Sequence, residues 1–408
     1  MHTTVLMAGF LVLLFKMDRK ALAWDKEYDR DEVEGDDDDS FDFVTSKLEF
    51  IKNEDIVEVE CDSQQCAANA ANGVPSVFVR GLVTTKPKPK LILQEHARAA
   101  TNIEKQFKGE TLGYVTPWNN RGYEWAKKFR AKLTYISPVW LQVREDTHRA
   151  PIITGLHDID RQWMRDIRDE IKGNIVPAIV PRIVYERNRL SSEDVSVIID
   201  DILALMDEHD FDGIVFEIPV MAGTVDMLQQ IARACQNADK LLILVLSRSS
   251  KEGELSVKHN IFADLAPLVH RFSLNAYDYS APGPTAPYLW LKKTLETMLP
   301  IERQKVLMGL PMSNTESITG STYIQSISDN DVSNIQWNAE THECQHAYTA
   351  TKSGGHHEVF YPCLQFLQDR LQLFEEYHVG AAIWELGQGT LINYDTFSNT
   401  PLTQKCRS

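Results

Sequence analysis

The chain has too little positive charge to serve as a nucleic-acid binder. It carries 42 Lys and Arg against 58 Asp and Glu, a net charge of −16 at pH 7. A nucleic-acid partner needs a basic surface that neutralises phosphates, so the composition excludes that class of function. Much of the acidity is local, between Asp25 and Asp42, where four consecutive aspartates occupy positions 36–39. Such a run predicts a disordered, self-repelling tail rather than a binding site.

Long apolar runs are missing as well. The apolar run Thr3–Phe15 is too short to cross a bilayer comfortably, and no later run is long enough to span one. The small residues Ala21-Leu22-Ala23 then form a cleavage pattern, which predicts a secretory signal peptide over residues 1–23. No basic segment precedes the apolar run, and basic residues at 16, 19 and 20 follow it, so a signal anchor is the alternative.

Cysteine is scarce, with six in the chain. This number fits an oxidising compartment without requiring one. Cys61 and Cys66 are close enough in sequence to close a small ring. The other four are dispersed, and their pairing stays open: Cys235, Cys344, Cys363 and Cys406. The chain has no Asn-x-Ser/Thr acceptor, so we do not expect N-glycosylation.

The chain is long enough for one large domain or two ordinary ones, and 43% apolar residues can fill a sizeable core. Residues 24–107 are predicted to be a leader, with Lys86–Lys90 as an extended charged linker and a helix over Leu91–Phe107. From Gly109 onwards, apolar strands alternate with amphipathic helices, which is typical of a parallel sheet built from βα units. A capping box at Ser191 and Asp194 predicts the start of one helix.

Eight strands are predicted in this region. They cover Thr111–Trp118, Leu133–Val143, Asn174–Val184, Phe211–Pro219, Leu241–Leu246, Arg271–Tyr279, Lys305–Pro311 and Gly380–Trp384. Eight strands with intervening helices predict an α/β fold, a (β/α)₈ TIM barrel over residues 108–396. A small β insertion is expected between strands seven and eight, within Met312–Glu358, and residues 397–408 are expected to form a tail.

The fourth strand is entered through Asp212-Gly213 and then carries one carboxylate, Glu217, among apolar residues. Strand alternation places Val215, Glu217 and Pro219 on one face of the sheet. A lone Glu there needs a partner or a wet cleft, and such a cleft forms at the C-terminal ends of barrel strands. The alternative is a turn followed by a strand-end Glu that faces solvent.

Aromatic and acidic residues recur at the predicted strand ends. Pyranose rings stack on Trp and Tyr, while carboxylates accept hydrogen bonds from sugar hydroxyls. Core packing is the alternative role for any single one of these residues. The candidate saccharide-binding residues are Tyr114, Trp118, Trp140, Glu217, Tyr277, Asp278, Tyr279, Trp384 and Glu385.

The fourth strand resembles that of glycoside hydrolase family 18, the chitinases, which carries D-G-x-D-x-D-x-E. Asp212 and Gly213 match its opening, whereas Val215, Glu217 and Pro219 stand at the three later acidic positions. In the family the last Glu is the general acid. The resemblance therefore implies a TIM barrel whose acid is absent, because proline has no proton to give.

Other strings extend the resemblance. Asn275–Asp278 is similar to the family's M-x-Y-D motif, and Ile383–Gly389 to the strand whose Trp floors the sugar site. The third strand departs from the family, because it has no S-x-G-G. Gly113–Asn119, Ser137–Gln142 and Gly155–Asp158 resemble the chitinase-domain-containing protein 1 group, also called stabilin-interacting chitinase-like proteins. That resemblance implies a secreted or endolysosomal saccharide-binding protein with a cell-surface receptor as a further partner.

Family 18 hydrolysis uses the substrate's own acetamido group, oriented by an Asp, while a Glu protonates the leaving oxygen. Glu217 aligns with that Asp, roughly 6.6 Å deeper than the acid position. The candidate catalytic residues are Glu217, Asp278 and Glu385, and we expect weak or no hydrolysis. We also expect Glu217 and Asp278 to share a proton at acid pH. The favoured function is a chitinase-like lectin for amino-sugar oligosaccharides; the alternatives are a weak hydrolase and a receptor-binding protein with a vestigial groove.

The segment His342-Glu343-Cys344-Gln345-His346 matches H-E-x-x-H, a zinc motif when it lies on a helix. Its neighbours alternate in polarity and predict a hairpin that ends near Ser353-Gly354-Gly355. In a strand, residues four apart are separated by about 13 Å, too far to share one zinc ion. The sequence therefore predicts no metal site and no cofactor.

Overall fold

The computed structural model describes residues 73–102, 104–169, 176–187, 191–249, 255–280, 283–313, 318–330, 332–350 and 354–398. The predicted signal peptide, the acidic tract and the cysteines at 61, 66 and 406 lie outside these residues. The interpretations that rest on them remain predictions.

Strands and helices alternate over most of the described chain. The strands are β1 (Thr111–Val115), β2 (Tyr135–Pro138), β3 (Leu141–Glu145), β4 (Pro151–Thr154), β5 (Ala178–Ile179), β6 (Arg182–Tyr185), β7 (Gly213–Glu217), β8 (Leu241–Leu246), β9 (Arg271–Leu274), β10 (Val306–Pro311), β11 (Gln336–Asn338), β12 (Glu343–Thr349), β13 (His356–Tyr361) and β14 (Gly380–Trp384). The helices are α1 (Pro89–Glu95), α2 (Asn120–Phe129), α3 (Arg161–Arg168), α4 (Ser192–Glu208), α5 (Val225–Asn237), α6 (His259–Leu265), α7 (Tyr288–Thr297), α8 (Pro300–Arg303), α9 (Gly320–Asp329) and α10 (Leu364–Glu376).

The main sheet closes on itself through its third strand. Parallel neighbours run in the order β6-β7-β8-β9-β10-β14-β1-β2-β5. Since β5 and β6 are two halves of one strand, the first and last members of this row are continuous in the chain. The Asp212 amide donates to the Ile179 carbonyl at 3.0 Å, and the Val215 amide to the Pro181 carbonyl at 2.9 Å. The predicted TIM barrel is confirmed.

Strand alternation separates two layers of core, as predicted for the fourth strand. Val215 packs inside the barrel with Leu112 and Ile243, whereas Ile214 and Phe216 pack outside against the helices. Glu217, two residues beyond Val215, therefore lies on the inner side. The capping box is also present: Ser191 accepts from the Asp194 amide, and the Asp194 side chain accepts from the Ser191 amide.

Three predicted elements differ from the structure. The second predicted strand is divided, because β2 stays in the barrel while β3 pairs with β6 and, antiparallel, with β4. The short helix α1 begins at Pro89, within the predicted charged linker, and ends at Glu95, well before the predicted end of the long helix at Phe107. Proline suits the first helical position because the amide it lacks has no intrahelical partner there.

The described part of the leader packs on the barrel. Val77 and Leu82 are buried with Leu364 and Ile392. Phe107 meets Phe397 edge-on, with ring centres 6.1 Å apart.

One buried carboxylate ties this leader segment to the C-terminal turn. Asp395 has no exposed surface, and it accepts from the Ala100 amide at 2.7 Å and from Arg80 at 3.3 Å. Lys132 lies 3.6 Å from its other oxygen.

The insertion between β10 and β14 contains α9 and a three-stranded antiparallel sheet, β11-β12-β13. The predicted hairpin is confirmed, because β12 pairs with β13. His342 contacts Asp369 at 2.6 Å, and His346 contacts the Ser326 hydroxyl at 3.1 Å. The two histidines therefore have different hydrogen-bond partners. A Cys344–Cys363 disulfide fastens the sheet to the start of α10.

The described residues lack both a metal-binding group and a membrane-spanning helix. They contain no group of three or more His, Cys, Asp or Glu suited to a metal ion. Within the same residues, no helix combines the length and apolar character needed to cross a membrane.

Candidate functional site

Four side chains from different strands meet inside the barrel near the C-terminal ends of the strands. Tyr114 comes from β1, Arg182 from β6, Glu217 from β7 and Trp384 from β14. The Tyr114 and Trp384 rings meet edge-on, with centres 5.3 Å apart. The Arg182 guanidinium carbon lies 4.8 Å from the centre of the Trp384 ring and 5.5 Å from that of Tyr114. We call these four residues the floor cluster.

Within the floor cluster, Arg182 and Glu217 form an ion pair. Arg182 Nε donates to Glu217 Oε2 at 2.6 Å, and Nη2 donates to the same oxygen. Burial lowers the pKa of Arg182, but Glu217, Tyr114 and Tyr277 together outweigh burial, and the net pKa lies above its ordinary value. The two groups thus compensate each other's charge in a largely dehydrated place, where either alone would be costly.

The prediction that Glu217 and Asp278 share a proton is wrong, because each carboxylate interacts with an arginine instead. Glu217 contacts Arg182. Burial raises the pKa of Asp278, and the opposing charge is Arg248 rather than another carboxylate.

The loop after β9 supplies a second group of predicted residues. The Tyr277 ring lies over β10, where a Cβ on Gly309 would come within 2.7 Å of it, so the glycine permits the close approach. The Tyr277 hydroxyl donates to Asn275 Oδ1 at 3.2 Å. Asp278 has a left-handed backbone (φ 59°), and Tyr279 is 42% exposed with its ring 5.4 Å from that of Trp290.

Two further positions mark the ends of strands one and four. Trp118, in the loop after β1, is 62% exposed and available to a ligand. Pro219 follows β7, and its carbonyl accepts from the Thr224 hydroxyl at 2.7 Å. The position that the sequence resemblance aligns with the acid of chitinases is therefore occupied by a residue without a titratable group.

The structure does not bring Trp140 and Glu385 to the cleft, although both were predicted there. Neither has exposed surface. Trp140 packs in the outer layer against Trp163 and Phe211, and its Nε1 donates to the Tyr123 hydroxyl at 2.7 Å.

Glu385 lies behind Trp384, to which it is joined by a cis peptide bond. Its Oε2 accepts from Asn119 Nδ2 at 2.8 Å, and its Oε1 from the Gly387 amide at 2.7 Å. Burial raises the pKa of this carboxyl to about 7.

Arg182 is the residue that sequence reasoning missed. The signal was present, because Pro181-Arg182-Ile183-Val184 places one cation in a buried strand beside the strand that carries a lone carboxylate. Parallel strands three and four are neighbours in a barrel, so each charge is the natural partner of the other.

No protein-family model matches the chain. Solved structures with a similar fold include a class V chitinase from Pseudomonas fluorescens Pf-5, with a TM-score of 0.59 and 15% identity over 71% of this chain and 98% of that one. The spore cortex-lytic enzyme SleL of Bacillus megaterium QM B1551 gives a TM-score of 0.57 at 16% identity, over 71% and 73% of the two chains.

A third similar structure is the chitinase-like agglutinin RobpsCRA from Robinia pseudoacacia. It gives a TM-score of 0.53 at 10% identity, over 70% of this chain and 98% of that one. The chain shares the fold of these proteins. At such identities the likeness extends to the fold alone, and the floor cluster has to be interpreted from its own chemistry.

Proposed function

We propose that the protein is a chitinase-like lectin, which binds amino-sugar oligosaccharides at the C-terminal mouth of the barrel and hydrolyses them weakly or not at all. The observation that carries this proposal is Pro219 at the end of β7, beside a floor cluster of two aromatic rings and an ion pair. A ring-lined cleft with few charged groups suits a pyranose, whereas general-acid catalysis needs a proton donor within hydrogen-bond reach.

The shared fold supports the proposal, since both chitinases and a chitinase-like agglutinin have it. The strings around Gly113–Asn119 and Ile383–Gly389 add the resemblance to the chitinase-domain-containing protein 1 group. On that resemblance we also propose a secreted or endolysosomal location and a cell-surface receptor as a partner.

One observation favours a second candidate, a slow hydrolase. Burial raises the pKa of Asp278, and a raised pKa is what a carboxyl needs to donate a proton near neutral pH. Glu217 and Glu385 suit that role less well, because the first is engaged by Arg182 and the second has no exposed surface.

The test is to incubate the purified protein with a chito-oligosaccharide at pH 5 and pH 7, following both product release and tryptophan fluorescence. We expect fluorescence quenching without product. Trp118→Ala should weaken binding, whereas Leu299→Ala, an exposed apolar residue (57%) at the opposite end of the barrel, should not. Product that disappears in Asp278→Asn would establish the hydrolase, and the absence of both product and quenching would contradict saccharide binding.

A further inference from the structure

Glu385 joins two loops that border the cleft. It follows Trp384 directly, with its side chain turned away from the barrel interior. One carboxylate oxygen accepts from the Gly387 amide in its own loop at 2.7 Å, and the other accepts from Asn119 Nδ2 at 2.8 Å. Asn119 in turn follows Trp118, the most exposed aromatic residue of the predicted cleft.

Two glycines allow this contact to form. A Cβ on Gly122, in the first turn of α2, would lie 2.7 Å from Glu385 Oε1. A Cβ on Gly387 would lie 2.4 Å from Asn119 Nδ2. Any larger residue at either position would push the two loops apart, so both sides of the contact are shaped to fit it.

We propose that Glu385 is a positioning residue of the saccharide cleft, whose carboxyl holds the loop carrying Trp118 against the loop that follows Trp384. This inference rests on the proposed function. Glu385 does not touch the ligand; it fixes the distance between an aromatic residue on the rim and one on the floor. Its side chain is fully buried, so it forms no salt bridge on the protein surface and makes no contact with solvent.

The carboxyl is also expected to change charge near neutral pH. The groups that face it are the Thr116 hydroxyl, the Asn119 amide, the Gly387 amide, Arg121, Tyr123 and Tyr394. Burial raises its pKa to about 7, while the hydrogen-bond donors and Arg121 lower it in part. Ionised Glu385 accepts from Asn119 and from the Gly387 amide through two charged oxygens; the protonated form is a neutral, weaker acceptor and carries an O–H on one of the two oxygens. The hydrogen bond that fastens the Trp118 loop to Glu385 therefore differs in strength above and below neutral pH.

The first experiment needs no saccharide. Quenching of Trp118 by iodide is measured between pH 5.5 and 8.5 as the difference between the protein and its Trp118→Phe variant. We expect a transition near pH 7 that is absent in Glu385→Gln, which keeps the shape of the side chain but does not titrate. Asp201→Asn removes an exposed acid on α4 and should keep the transition. A transition that persists in Glu385→Gln would overturn the proposal.

The second experiment measures chito-oligosaccharide affinity over the same pH range. Glu385→Gln and Asn119→Ala should each weaken binding about tenfold, the scale of one hydrogen bond to a charged group, and the double variant should be no weaker than either. Additive losses, or a wild-type pH profile in Glu385→Gln, would overturn the positioning role. Asn119→Ala keeps the test valid if Glu385→Gln does not fold.

The two experiments separate the two proposals. If the wild-type protein binds no oligosaccharide while Trp118 still shows its transition, the proposed function fails and the contact between the loops is supported. If binding is present and both Glu385→Gln and Asn119→Ala bind as the wild-type protein does, the proposed function is supported and the positioning role fails.

Discussion

The ends of β7 and β14 place the same side chain in opposite surroundings. Glu217 ends β7 on the inner side of the barrel and contacts the guanidinium of Arg182. Glu385 follows β14 on the outer side and contacts two neutral amide donors. One carboxylate belongs to the floor of the cleft, and the other belongs to the framework behind it.

This difference shows that the role of a strand-end carboxylate depends on whether it faces the barrel interior or the surrounding helices. An inward carboxylate at this level meets side chains from the other strands across the barrel. An outward one meets the loop and helix that follow the neighbouring strand, here α2. Four changes test the comparison, from the largest expected effect to the smallest.

Removing the cation from the inner pair should have the largest effect. Arg182→Met leaves Glu217 partly buried without a partner, and we expect a loss of about 3 kcal/mol in the free energy of unfolding. Urea denaturation measures it. The double variant Arg182→Met/Glu217→Leu should recover part of the loss, because both charges are then gone. A loss below about 1 kcal/mol in Arg182→Met would mean that the pair does not hold the floor together.

Glu385, the outer carboxylate, should make the free energy of unfolding depend on pH. Its folded pKa of about 7 lies above the ordinary value of 4.5. The folded chain therefore keeps a proton that the unfolded chain releases, so this stabilisation is complete below about pH 4.5 and is lost as the pH rises through about 7. The total is on the order of 3 kcal/mol.

The measurement is the difference in unfolding free energy between wild type and Glu385→Gln at pH 4.5 and pH 8. Other acids titrate in both proteins and cancel in this difference. Equal pH profiles in the two proteins would contradict the raised pKa.

Adding one methyl group beside Glu385 should have a smaller effect. Gly122→Ala places a Cβ 2.7 Å from Glu385 Oε1, and we expect a cost of about 1–2 kcal/mol because two loops must move apart. Asn120→Ala, exposed in the same helical turn, is the control and should change stability by less than about 0.5 kcal/mol. Equal stability of Gly122→Ala and Asn120→Ala would show that the loops around Glu385 accommodate a methyl group at little cost.

The smallest change in stability is expected at the rim. Trp118 is 62% exposed, so Trp118→Ala should change the unfolding free energy by less than about 0.5 kcal/mol. Thermal or urea unfolding beside the binding assay separates the two roles. A destabilisation above about 1 kcal/mol would show that Trp118 is part of the fold rather than a free surface for a ligand.

The sequence was sufficient for the order of the barrel strands and for the faces of the fourth strand. The order follows from continuous apolar runs that alternate with amphipathic helices, and the faces follow from the two-residue period of side chains along a strand. The hairpin at Glu343–Thr349 was predictable for the same reason, since alternating polarity excluded the helix that H-E-x-x-H requires.

The pairing of Arg182 with Glu217 was not predicted, because it depends on how strands three and four are aligned. The prediction that Glu385 lies at the cleft is wrong, and strand alternation shows why. Trp384 and Glu385 are consecutive, so only one of them can face the barrel interior. The prediction for Trp140 is wrong because the second strand divides after Pro138, and the periodic pattern of the sequence does not indicate that break.

The contact between Asp395 and the leader bears on the design of recombinant fragments. A fragment that begins at residue 108, where the repeating βα pattern starts, would lack Arg80 and the Ala100 amide and would leave Asp395 with Lys132 as its remaining partner. It would also uncover the Phe397 ring that Phe107 covers. A fragment intended to be soluble should therefore begin at or before Val77, well upstream of the first barrel strand.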